Sequence, residues 1–132
     1  KDLFNSILNK GAEVCRDLGN NFDLRMDNSW ININRGDDYN VFHVHPFSNI
    51  SGCVYLKSND NSGSIEFLRG DAGKHYLSGI NVPWNHIFSQ ANIQYKPEVG
   101  KIVMFPSWLE HRVTPSTDNE ARISIAFNFR II

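Results

Sequence analysis

Long apolar runs, basic clusters and a cysteine framework are all missing from this chain, and each absence removes a class of protein. No stretch approaches the roughly 18 consecutive apolar residues of a membrane span. The first residues also lack the basic-then-apolar order of a secretory signal. The expectation is therefore no membrane partner and a cytoplasmic location. Lys and Arg number 13 against 14 Asp and Glu, a formal net charge of −1, with no run of one sign. The basic footprint that grips a phosphate backbone is absent, so nucleic acid is not expected as a partner. The two cysteines, Cys15 and Cys53, form no C-x-x-C pair. They read as buried free thiols, with a disulfide or ligand role as the lesser alternative.

What is present suits one domain. A chain of 132 residues, 41% hydrophobic and 20% charged, can bury roughly two-thirds of its unfolded surface around a single core. Leu3, Phe4, Ile7, Leu8, Val14, Cys15 and Leu18 recur at three- and four-residue intervals. That spacing predicts an amphipathic helix over 2–18, within a supporting segment 1–20, with Asp2 as N-cap and Gly19-Asn20 as its stop. Gly11 weakens it in the middle. From Ser29 on, short runs of β type follow: 30–34, 40–45, 52–57, 64–69, 101–105, 110–114 and 122–131, separated by turn formers such as Asn59-Asp60-Asn61-Ser62-Gly63. Many short strands at this spacing predict a sandwich, jelly roll or barrel. Residues 70–99 alternate poorly and read as an irregular excursion, a candidate lid or binding loop, with an extra edge strand as the alternative.

Strand alternation sends His43 and His45 to one face, a chelating pair in waiting. His111, opening a second strand after Ile102-Val103-Met104-Phe105-Pro106, offers a third imidazole from a distant segment. Imidazole suits iron, zinc, copper and nickel alike, so ligand type alone leaves the metal open. In the last strand, Ile123, Ile125, Phe127 and Phe129 share one face, and Arg122, Ser124, Ala126 and Asn128 the other. A guanidinium fork beside a hydroxyl is what a carboxylate needs.

Taken in order, several segments resemble the 2-oxoglutarate and Fe(II)-dependent oxygenase superfamily, in particular prolyl-hydroxylase-like enzymes and a small branch from marine bacteria and phages. They are Trp30-Ile31-Asn32, Gly36-Asp37-Asp38-Tyr39-Asn40, His43-Val44-His45-Pro46, Ser51-Gly52-Cys53-Val54-Tyr55-Leu56 and Gly63-Ser64-Ile65-Glu66-Phe67, then Gly100 to Trp108, His111-Arg112-Val113-Thr114-Pro115 and Arg122-Ile123-Ser124. The resemblance implies a mainly β fold, a double-stranded β-helix (jelly roll, cupin-like) over 29–132 with an N-terminal helix. It implies Fe(II) held by His43, His45 and His111, and 2-oxoglutarate held by Arg122, Ser124 and Tyr55. The implied reaction is decarboxylation of 2-oxoglutarate to succinate coupled to hydroxylation of a peptidyl side chain or small metabolite.

One departure stands out: where the superfamily usually has His-x-Asp or His-x-Glu, His45 occupies the acid's place. A third imidazole leaves the centre one unit more positive. Cupins also use an H-x-H pair, often completed by a Glu, which makes Glu66 a candidate fourth ligand. Glu110 should face away from His111. Asn32 and Tyr39 are candidate pocket residues, and His75 and His86 candidate substrate contacts. Two other readings compete: a cupin-like metal protein that does not use 2-oxoglutarate, and a non-catalytic β-sandwich recognition module. The sequence leaves the oligomeric state open.

Overall fold

The computed structural model describes residues 2–70 and 92–132. Helix α1 (Asp2–Asp17) is followed by β1 (Leu24–Asn34), β2 (Asn40–His43), β3 (Ile50–Lys57) and β4 (Ile65–Leu68). After residues 71–91 come β5 (Asn92–Tyr95), β6 (Ile102–Pro106), β7 (His111–Val113) and β8 (Arg122–Ile131). The strands form two four-stranded antiparallel sheets, β1-β8-β3-β6 and β2-β7-β4-β5. Consecutive strands alternate between the sheets over much of the chain, which is the winding of a double-stranded β-helix. His75 and His86, and most of the segment read as an excursion, lie outside the described residues. The part of that segment at Asn92–Tyr95 is a strand, paired in register with β4 from Ile65↔Tyr95 to Leu68↔Asn92.

The helix ends as its sequence dictates. Gly19 takes φ 79°, the left-handed conformation open to glycine. The amides of Gly19 and Asn20 donate to the carbonyls of Arg16 and Cys15, which closes the last turn in a Schellman motif. Ile7, Gly11 and Cys15, four residues apart, form the buried stripe. Gly11 does more than weaken the helix: a Cβ there would lie 2.9 Å from the Phe129 ring and 3.1 Å from Leu24. Its absence lets the helix settle directly on the sheet.

The main apolar core therefore lies between α1 and the outer face of the first sheet, where Ile7, Cys15, Leu24, Val54, Ile125, Phe127 and Phe129 pack together. A smaller cluster of Ile65, Phe67 and Phe105 sits between the two sheets. Polar side chains share the rest of that inner space, because the alternation that sends Phe127 and Phe129 to the helix sends Arg122 and Ser124 inward.

Candidate metal and carboxylate site

His43 closes β2, His111 opens β7, and the two are register partners on neighbouring strands. Their rings are consequently side by side, with centroids 4.3 Å apart. The strand stops at His43, so His45 does not share it as the alternation argument assumed. Its position comes instead from the next turn, where its backbone N–H donates to the Ser107 carbonyl at 3.0 Å. Even so, one ring nitrogen from each of His43, His45 and His111 lies within 4.8 Å of the others. Nε2 of His45 is 3.1 Å from Nε2 of His111. Two metal–nitrogen bonds of about 2.1 Å at a right angle would put their nitrogens about 3.0 Å apart.

The backbone fixes which nitrogen is free. Nδ1 of His43 meets the Val41 carbonyl at 2.7 Å, and Nδ1 of His111 meets the Leu109 carbonyl at 2.8 Å. A carbonyl only accepts, so each Nδ1 carries the proton and each Nε2 lone pair faces its neighbours. Burial pulls the pKa of His111 down to about 4 against the opposing pull of the Leu109 carbonyl, with His43 and His45 adding to the fall. Burial, then His43, lowers His45 as well. Neutral imidazole is the form that binds a metal. His45 makes three ring contacts, stacked at 5.0 Å on His111, edge-on at 5.1 Å to His43 and tilted at 5.9 Å against Trp30.

Behind the histidines a cavity runs between the sheets, bordered by Trp30 and Asn32 from β1, by Tyr55, and by Arg122 and Ser124. Tyr55 and Arg122 are each only 3% exposed, and Ser124 5%. Arg122 donates from Nη1 to the Gly63 carbonyl at 2.6 Å and from Nη2 to Asn34 Oδ1 at 2.7 Å. Its Nε is buried with no partner. No carboxylate is found among the described residues lining this cavity. Burial lowers the pKa of Arg122, although a guanidinium keeps its charge at any ordinary pH, and burial raises that of the Tyr55 phenol and the Cys53 thiol. The cavity thus holds a buried positive charge with an unused donor and, among the described residues, no counterion, a combination that favours an anion.

The remaining candidates separate cleanly. Asn32 borders the cavity, whereas Tyr39 is 65% exposed and lines a different groove, with Phe42 and Arg112. Glu66 is neither a fourth ligand nor a solvated carboxylate. Its neighbour Ile65 faces the cavity, so Glu66 faces the other side of its sheet. There it is 1% exposed, accepting from Asn92, from Gln94 Nε2 at 2.8 Å and from Arg112 Nη2 at 3.1 Å. Glu110 is exposed, as expected. Cys15 and Cys53 are free thiols. The sequence reading passed over Asn34 and Gly63 as the anchors of Arg122. The signal for Asn34 was there, since Ile31 and Ile33 alternate with Trp30, Asn32 and Asn34.

Two antiparallel sheets wound around a cavity, with three imidazoles at its mouth and a guanidinium inside, define a double-stranded β-helix with a candidate metal centre. A family model described as "Putative 2OG-Fe(II) oxygenase" matches residues 28–128, and the chain belongs to that family. The cofactors of that family, iron(II) and 2-oxoglutarate, match the donor set found here. No curated protein sequence gives a significant match. Among solved structures, a 2OG-Fe(II) oxygenase family oxidoreductase from Burkholderia pseudomallei is similar with TM-score 0.65 at 14% identity, over 89% of this chain and 50% of that one. A prolyl-4-hydroxylase from Pseudomonas putida gives 0.59 at 17% identity, over 89% of this chain and 57% of its own. HygX from Streptomyces hygroscopicus, solved with iron bound, gives 0.63 at 12% identity over 98% of this chain and 68% of its own. These likenesses establish the fold. The chain spans only half, or little more, of the first two of these structures.

Proposed function

We propose that this chain is a single catalytic domain that hydroxylates a peptidyl side chain or small metabolite, with His43, His45 and His111 holding iron(II) and Arg122, Ser124 and Tyr55 receiving 2-oxoglutarate. The observation that carries the reading is the pairing, in one cavity, of three convergent imidazoles with a buried guanidinium that meets no carboxylate among the described residues. When bound, iron(II) would activate dioxygen, the oxidant, with 2-oxoglutarate supplying two of the four electrons: one oxygen atom would go into succinate as carbon dioxide is lost and the other into a substrate C–H bond.

The protein's own part is positioning and exclusion. The Val41 and Leu109 carbonyls keep two ring protons on Nδ1, and so keep two lone pairs directed at the metal position. Arg122 offers charge and N–H donors to the carboxylate far from the metal, and the Ser124 hydroxyl adds another donor. Tyr55 keeps its phenolic proton, because burial, reinforced by Cys53, raises its pKa, so it too acts as a donor. The low exposure of this end excludes water from the charged contact and strengthens it. Trp30 at the mouth is 38% exposed beside His45, which suits it to meet the substrate. The prolyl-4-hydroxylase among the similar structures favours a peptidyl substrate.

The test is anaerobic loading with iron(II), then admission of oxygen and assay of succinate. Stoichiometric iron and succinate formation are expected, both lost in His111→Ala, with succinate alone lost in Arg122→Met. A wild-type protein that takes up no iron, or that binds iron and leaves 2-oxoglutarate intact, sinks the proposal.

A further inference from the structure

Arg122 is held by two acceptors that carry no net charge. The Gly63 carbonyl takes an Nη1 hydrogen at 2.6 Å and the Asn34 side-chain oxygen an Nη2 hydrogen at 2.7 Å. Buried arginines more often meet a carboxylate, which fixes the side chain and cancels its charge in the same act. Here position is fixed while the charge is kept. Asn34 is placed for this by register: it pairs with Arg122 across β1 and β8, so both side chains project from the same face.

The second anchor is itself immobilised. The Gly63 amide donates to Ser116 Oγ at 3.1 Å, and a Cβ on Gly63 would collide with the backbone of Thr114. Asp118 then accepts from both Asn59 and Asn61, at 2.8 and 3.1 Å, tying the 59–63 turn to the 115–119 turn. The Gly63 carbonyl therefore has little freedom to follow the guanidinium elsewhere. Two of five N–H groups are committed to these anchors, and Nε–H stays buried without a partner.

We propose that Asn34, acting with the Gly63 carbonyl, is a positioning residue that presets the Arg122 guanidinium for a dicarboxylate while leaving its charge unspent. This rests on the reading that Arg122 receives the distal carboxylate of 2-oxoglutarate. Arginine has many rotamers, and ordering it before the ligand arrives lowers the cost of binding. An aspartate at position 34 would hold the same geometry and neutralise the site.

The experiment uses protein loaded with nickel(II), which supports no turnover, and titrates it calorimetrically with 2-oxoglutarate and with 2-oxobutanoate, which lacks the distal carboxylate. Asn34→Ala is expected to weaken 2-oxoglutarate by about tenfold, the scale of one well-placed charged hydrogen bond. Affinities for 2-oxobutanoate and for nickel should be unchanged. Asn34→Asp, which keeps the acceptor, should weaken 2-oxoglutarate at least as much with no loss of melting temperature. Combined with Arg122→Met, Asn34→Ala should add nothing further.

The inference is overturned if Asn34→Ala binds 2-oxoglutarate as the wild type does, or weakens both keto acids alike. It is also overturned if Asn34→Asp binds 2-oxoglutarate normally. A different result strikes the underlying reading: an Arg122→Met protein that still prefers 2-oxoglutarate over 2-oxobutanoate means that Arg122 does not grip the distal carboxylate.

Discussion

His111 carries the largest consequence of burial among the three imidazoles. Its pKa is near 4 in the folded, metal-free protein, against an ordinary 6.5 in an unfolded chain. Between those values the unfolded chain binds a proton that the folded one does not, so stability rises with pH across the window and is lost as pH falls through it. The urea midpoint of metal-free protein should therefore drop between pH 7 and pH 5, and His111→Gln should flatten the drop. A second residue-scale expectation concerns Gly63, which passes so close to Thr114 that any side chain must displace backbone. Gly63→Ala should cost more than roughly 2 kcal/mol, read from the urea midpoint. Legibility varied at this scale. His43, His111, Arg122 and Ser124 were marked by alternation or by motif. Glu66 misled because its burial depends on Asn92, Gln94 and Arg112 from two other strands, partners that no local pattern reveals.

Helix α1 supplies none of the proposed ligands, yet its stripe of Ile7, Gly11 and Cys15 closes the principal core. Ile7 is wholly buried there, so Ile7→Ala should cost about 2–5 kcal/mol in the same denaturation measurement. The change should leave metal affinity per folded molecule unaltered, because the site lies on the other side of the sheet. The helix was plain in the sequence because its periodicity and its Gly19-Asn20 stop agreed, although Asp2, read as its N-cap, lies instead within its first turn. The strands were plain where one face is apolar, as in β8. They blurred where neither face is, as in Leu24 to Ser29 of β1 with its irregularity between Met26 and Asn28. β5, Asn-Ile-Gln-Tyr, holds its place through pairing with β4, which a reading of local pattern cannot see.

For the molecule as a whole, a metal that binds only the folded state must stabilise it. At a concentration about 100 times its Kd, nickel(II) should add roughly 2.7 kcal/mol, a rise in Tm on the order of 10 °C. Differential scanning calorimetry with and without the ion checks this, and His111→Ala should remove most of the gain. The sandwich itself was expected from the rhythm of strands and turns, whereas the placing of its main core outside the sheet pair was not, since periodicity identifies faces without saying what lies against each. Strand β8 is where these two demands meet. Its odd-numbered residues Ile125, Phe127 and Phe129 belong to the core closed by the helix, and its even-numbered Arg122, Ser124 and Ala126 face the cavity. Displacing β8 by a single position would drive phenyl rings among the imidazoles and bury a guanidinium beneath hydrocarbon. A chain that misthreads this strand would thus forfeit its cohesion and its chemistry together, and no stably folded but blind isomer should accumulate during refolding.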